Sequence, residues 1–136
     1  MKIIITNNPM VRDMVPVPGY EPVEYHDTDY LGVLKVVRDR IHLDCVLLTH
    51  PLSGSVKPGQ TPFKTVVISC GESDGVNDGK SYNEQKMLSE QKMLSLSIIE
   101  NSIQTCMKFM VDGIKRNWSA KTLADFQLID YNLVFG

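Results

Sequence analysis

Short β-branched apolar runs alternate along the chain with stretches whose apolar residues recur every three or four positions. Ile3-Ile4-Ile5 is continuous and β-branched, the pattern of a strand buried on both faces. Polar turn formers and a proline end it at Thr6-Asn7-Asn8-Pro9. Proline suits a first helical position, so a helical turn is expected over residues 9 to 14. Pro16, Pro18, Gly19 and Pro22 then impose an irregular extended connection, and residues 23 to 26 predict a short second strand. From 29 to 42, Leu31, Leu34, Val37 and Ile41 recur at helical spacing, with Lys35, Arg38, Asp39 and Arg40 on the other face and Asp27 or Thr28 as the cap. Residues 45 to 48 and 63 to 69 predict two further buried strands, flanking a polar Gly/Ser/Pro loop over 52 to 62. An acidic connection with three glycines follows over 71 to 79.

The longest helix is expected from 82 to 114, with Leu88, Ile98, Ile99, Ile103, Met107, Met110 and Ile114 as its apolar stripe and Gly113 and Asn117 at its exit. It contains a direct repeat, Glu84-Gln85-Lys86-Met87-Leu88-Ser89 followed by Glu90-Gln91-Lys92-Met93-Leu94-Ser95. Six residues turn the second Met-Leu pair roughly 120° from the first, so one pair at most can serve the core. A short helix over 120 to 125 and a last strand over 127 to 134 complete the order, roughly βαβαββαβ. That order predicts a single α/β domain over 1–136: a three-layer sandwich with a mostly parallel, Rossmann-like central sheet and helices on both faces. The two strands flanking the 50–62 loop have no helix between them, so this pair is expected to be antiparallel or not adjacent.

Composition narrows the function more than the fold. The chain has 136 residues, 14 Lys+Arg, 16 Asp+Glu and a formal net charge of −2. No basic stripe interleaves with aromatics, so neither nucleic acid nor an anionic membrane is expected as a partner. No run approaches the roughly 20 apolar residues of a membrane-spanning helix, and the apolar start is too short for a signal-peptide core. A cytoplasmic protein is the expectation. Cys45, Cys70 and Cys106 are too few and scattered for a disulfide framework and fit a reducing compartment. Cys45 and Cys106 read as core residues, and Cys70 as a strand-end residue open to solvent. His26, His42 and His50 have no metal-type spacing with one another or with the cysteines, so no metal and no cofactor is expected.

The candidate chemistry gathers at strand ends. The loop from His50 to Lys64, including Ser53, Gly54, Ser55, Lys57 and Gly59, offers hydroxyls, glycine amides and two lysines, Lys57 and Lys64, that can hold a small phosphate or carboxylate. Gly54-x-x-x-x-Gly59 mimics the start of a nucleotide P-loop, but Gln60 stands where lysine belongs and Pro58 and Pro62 oppose the helix that should follow. Thr6, Asn7 and Asn8 end the first strand, where open α/β sheets place ligand contacts; their amides serve equally to satisfy backbone groups in a tight turn. Glu100 and Asn101 lie in the long helix, and Glu100 would orient His50 if that helix packs beside it.

These stretches resemble the GrdX family, small proteins encoded beside the glycine, sarcosine and betaine reductase genes of amino-acid-fermenting anaerobes. The resemblance rests on Ile5-Thr6-Asn7-Asn8-Pro9, on residues 48 to 58, on Thr61-Pro62-Phe63-Lys64, on Ile99-Glu100-Asn101-Ser102-Ile103 and on Asp125-Phe126-Gln127-Leu128-Ile129-Asp130. It implies an accessory or regulatory role near the reductase system, with reductase components as partners and no reaction or cofactor to carry over. Self-association into a homodimer stays open. The alternative is a small enzyme or binding protein acting on an anionic ligand at the 50–62 loop, with His50 as acid/base and Ser53, Ser55 and Lys57 holding the anion.

Overall fold

A computed structural model describes residues 2–14, 23–52, 61–71, 82–110 and 118–135. The β-branched run becomes strand β1 (Lys2–Thr6), followed by helix α1 (Pro9–Met14), strand β2 (Val23–Tyr25) and helix α2 (Tyr30–His42). Strands β3 (Cys45–Leu47) and β4 (Thr65–Cys70) come next, then helices α3 (Tyr82–Met110) and α4 (Ala120–Phe135). The cap of α2 is Asp29, one or two residues beyond the expected Asp27 or Thr28; its carboxylate accepts from the Gly32 amide at 2.7 Å. A Cβ on Gly32 would strike the Thr28 side chain, so this first turn admits glycine alone without a shift.

The strands form one sheet in the order β2-β1-β4-β3. β1 pairs parallel with β2, while β4 pairs antiparallel with both β1 and β3. The expected mostly parallel, Rossmann-like three-layer sandwich is therefore wrong: the sheet is small, mixed and mostly antiparallel, in a chain dominated by helix. Two features cause the difference. The described residues between β3 and β4 form no helix, and β4 returns antiparallel, in keeping with the expectation for the pair flanking the 50–62 loop, and inserts between β3 and β1. The expected last strand over 127 to 134 is instead the second half of α4, which removes the strand that would have extended the sheet.

Side-chain alternation divides the core between the two faces of the sheet. Ile3, Ile5, Val66 and Ile68 point to one face and pack with Val33, Leu34, Val37 and Ile41 of α2 and Ile99, Ile103 and Cys106 of α3. Ile4 and Val67 point to the other, packing with Val11 of α1 and with Tyr131, Val134 and Phe135 of α4. Each fully buried Val or Ile contributes roughly 1.5–3 kcal/mol, so both faces are needed for stability. Trp118 stacks edge-on against Phe126 at 5.9 Å between ring centroids, holding the entry to α4.

The buried stripe of α3 is Ser95, Ile99, Ser102, Ile103 and Cys106, offset from the expected one: Leu88 and Met107 are exposed. Met87, Leu88, Met93 and Leu94 are all exposed, so neither Met-Leu pair of the repeat serves the core, and the second copy buries only its last residue, Ser95. The Met110 side chain and Ile114, like Gly113 and Asn117, lie outside the described residues.

The cysteines also differ from the expectation. Cys45 and Cys70 face each other across the β3–β4 ladder and are joined by a disulfide. Cys106 is buried in the core as expected, and burial pushes its thiol up to about 11.

Candidate functional site

β1, β2 and β3 run in the same direction, so their carboxyl ends and the start of β4 lie along one edge of the sheet. Thr6, Asn7 and Asn8 leave β1 there and are buried. Asn8 caps α1, its Oδ1 accepting from the Met10 amide at 3.0 Å. Its Nδ2 reaches α4, donating to the Gln127 carbonyl at 2.9 Å and to Asp130 Oδ2 at 3.0 Å. Asn7 donates from Nδ2 to the carbonyls of Thr28 (2.9 Å) and Pro62 (2.8 Å), and its Oδ1 accepts from the Lys64 amide at 2.8 Å. One amide thus ties the end of β1 to the turn before α2 and to the approach to β4.

Asp130 is the centre of this cluster. Its Oδ1 accepts from the Thr65 amide at 3.0 Å, and its Oδ2 accepts from the Thr65 hydroxyl at 2.6 Å as well as from Asn8. The Thr65 hydroxyl has one proton, so when it donates to Asp130 it must accept from Thr6, whose Oγ1 lies 2.7 Å away. Thr6 Oγ1 in turn accepts from the Asn8 amide at 3.0 Å. Burial pushes the Asp130 carboxyl above its ordinary value, against the hydrogen bonds from Thr65 and Asn8 and the charge of Lys64, which pull it down. Lys64 is buried too; desolvation lowers its ammonium and the Asp130 charge opposes that. Among the described residues, no buried side-chain nitrogen or oxygen lacks a hydrogen-bond partner.

Beside the cluster is a cleft between Tyr30, Phe63, Lys64, Phe126, Ile129 and Asp130, with about 10 Å³ of free space. That is room for roughly one water molecule. The Tyr30 hydroxyl donates to the Pro51 carbonyl at 3.1 Å, and burial raises its pKa. α4 presents Leu128, Ile129 and Leu133 to solvent, with 48%, 41% and 50% of their surfaces exposed, and of these Ile129 and Leu133 line the cleft. A second, shallow groove of about 270 Å³ lies against β4 and the end of α4, lined by Lys2, Leu48, Thr49, Val67 and Val134.

The expected site residues divide into four groups. Thr6, Asn7 and Asn8 come together and are committed to the network above. His50 is exposed, and its Nδ1 accepts from the Leu52 amide at 3.0 Å, closing a local turn. Glu100 and Asn101 are exposed on α3, where Glu100 faces Arg38 at 3.9 Å. Ser53, Gly54, Ser55 and Lys57 lie outside the described residues. Asp130 and Thr65 were not legible as site residues, and Lys64, expected as one of two lysines of an anion-holding loop, is instead buried beside Asp130. One signal was present: Asp130 is the only charged residue between Phe126 and the last residue, in a stretch otherwise rich in apolar side chains.

The chain belongs to the GrdX-like protein family, whose match covers residues 3–136, nearly its whole length. No curated protein and no solved structure matches it.

Proposed function

We propose that the protein is a non-enzymatic, cytoplasmic accessory component of the glycine or betaine reductase system, docking a reductase component on the outward face of α4. The observation that carries this reading is an exposed apolar face that, among the described residues, borders no ligand-sized pocket. Ile129 and Leu133 line a cleft that admits one water, Leu128 is exposed on the same helix, and the polar groups behind the cleft are already hydrogen-bonded to one another. Small-molecule sites are larger and present a few convergent polar groups, whereas exposed apolar patches mark protein contacts. The groove at Lys2 and Leu48 is larger, but among the described residues Lys2 is the one charged side chain in its wall.

The test is capture of purified reductase subunits by the tagged protein, repeated with Leu128→Glu and Leu133→Glu. Both residues are half exposed, so the variants should keep their stability within about 0.5 kcal/mol. Binding should weaken at least about tenfold, the effect of losing one buried interface anchor. Equal capture by the variants, or none by the wild type, overturns the reading.

A small-anion site at the 50–62 loop is the second reading. Its support is that both ends of the loop are tied to the same sheet edge, Pro51 by Tyr30 and Pro62 by Asn7. Phosphate or acetyl phosphate at about 100 times its dissociation constant would then add roughly 2.7 kcal/mol, lost in His50→Ala and Lys57→Ala. A melting temperature unmoved by either anion overturns this second reading.

A further inference from the structure

The Cys45–Cys70 bridge lies at the opposite end of the sheet from the Asp130 cluster, at the start of β3 and the end of β4. We propose that it is a reversible dithiol–disulfide site, a redox latch on the edge strand β3 that takes a dithiol as its electron donor. The proposal does not rest on the reductase reading.

Three observations support it. First, the ladder itself brings the two cysteines together: they are direct register partners with Cα atoms 4.1 Å apart, the close type of antiparallel pair. The turn that sets this register is tight, with Leu43 closing α2 and Asp44 in the left-handed region at φ 70°, a conformation aspartate tolerates. After reduction the thiols stay facing each other, so the bond can form again without a search. Second, the bond is reachable. Cys45 is buried, but Cys70 is only partly so and is followed by the exposed Gly71. Third, the bond holds a short edge element that gives the core only Cys45 and the partly buried Leu47. β3 has three residues at the sheet edge, whereas β1 and β4 pair over five positions and bury the isoleucines and valines.

The chemistry balances as thiol–disulfide exchange. A thiolate of the external dithiol attacks Cys70 Sγ, the bond between the two Sγ atoms breaks, and Cys45 leaves as a thiolate that takes up a proton. The second external thiol, deprotonated, then attacks the mixed disulfide and releases Cys70, which is protonated in turn. Two electrons enter the protein and the external dithiol becomes a disulfide; an external disulfide drives the reverse. With the latch open, β3 is held by its ladder, by the packing of Cys45 and Leu47, and by hydrogen bonds on its flanks, among them those of Thr49 with Val67. The Leu47 amide donates to Ser95 Oγ of α3 at 3.1 Å, and the Leu48 amide donates to the Val67 carbonyl at 2.9 Å.

The test uses the wild-type chain equilibrated with graded ratios of reduced to oxidised dithiothreitol. Thiols are counted by alkylation and mass, and backbone opening is read by amide hydrogen exchange. Two thiols should appear and disappear together, reversibly and without denaturant. Reduction should speed exchange at Leu47 and Leu48 by at least about tenfold while Ile4 and Ile5 stay unchanged. The Cys45→Ser/Cys70→Ser double variant should reproduce the fast-exchanging state and ignore dithiothreitol; if it fails to fold, the wild-type titration decides alone. Three thiols that remain free under oxidising ratios, a bridge that yields only in denaturant, or exchange that rises equally at Ile4 and Leu48 each overturn the proposal.

Discussion

Asp130 carries much of the local energetics because it is a carboxylate placed where water cannot reach it. The Thr65 amide, the Thr65 hydroxyl and the Asn8 amide nitrogen all point at it, and each loses its acceptor if the carboxylate goes. Asp130→Asn replaces one acceptor oxygen by a donor, so at least one of these three groups is left facing another donor. The expected cost is about 1–3 kcal/mol, measured by urea denaturation near neutral pH. Because burial raises the folded-state pKa above the ordinary 3.8, the native protein binds this proton more tightly than the unfolded chain does. Its stabilising contribution is therefore full below about pH 3.8 and is lost as pH rises through the raised value. The stability gap between wild type and Asp130→Asn should narrow across that window as pH increases. A gap that widens with pH would mean that the hydrogen bonds and Lys64 outweigh burial. At the same scale, the side chains of Asn7 and Asn8 were legible as polar residues at a strand end. Their partners at Thr28, Pro62 and Asp130 were not, because those lie 21, 55 and 122 positions away.

At the scale of elements, α3 is two helices in function. From Ser95 onward it buries a stripe against α2 and the sheet, while its first half carries both copies of the hexapeptide with every Met and Leu exposed. Periodicity located the helix but not the point where burial begins, since that depends on where the sheet ends beneath it. Removing residues 84 to 89 shortens the exposed half and leaves Lys92 next to Asp44, which it contacts at 2.6 Å. The melting temperature of the deletion variant, followed by circular dichroism, should stay within a few degrees of wild type. A loss of more than about 10 °C, some 2 kcal/mol or more at this size, would mean that the exposed half packs on something. The mistaken last strand has a related cause. Apolar residues in 126 to 135 are dense enough to fit either period, and α4 wins because Gln127, Asp130, Tyr131 and Val134 then share one face toward the sheet.

For the whole molecule, α4 closes the fold by covering the second face of the sheet and accepting the donors of Asn8 and Thr65. A chain ended after residue 118 would expose Ile4, Val11 and Val67 and orphan those donors. It should lose cooperative unfolding and bind a hydrophobic dye; a cooperative transition would show that α4 is dispensable. The sequence by itself determined where the four helices and four strands of the described residues begin, while adding a fifth strand that is helix, along with family membership and, among the described residues, the absence of a helix able to cross a membrane. Those follow from local period, turn chemistry and composition. Only the tertiary structure decided the placement of β4 between β1 and β3, the pairing of Cys45 with Cys70 and the assembly of Thr6, Asn8, Thr65 and Asp130. Each of these joins residues far apart in the chain, and their meeting depends on which faces the strands and helices bury together rather than on any local pattern.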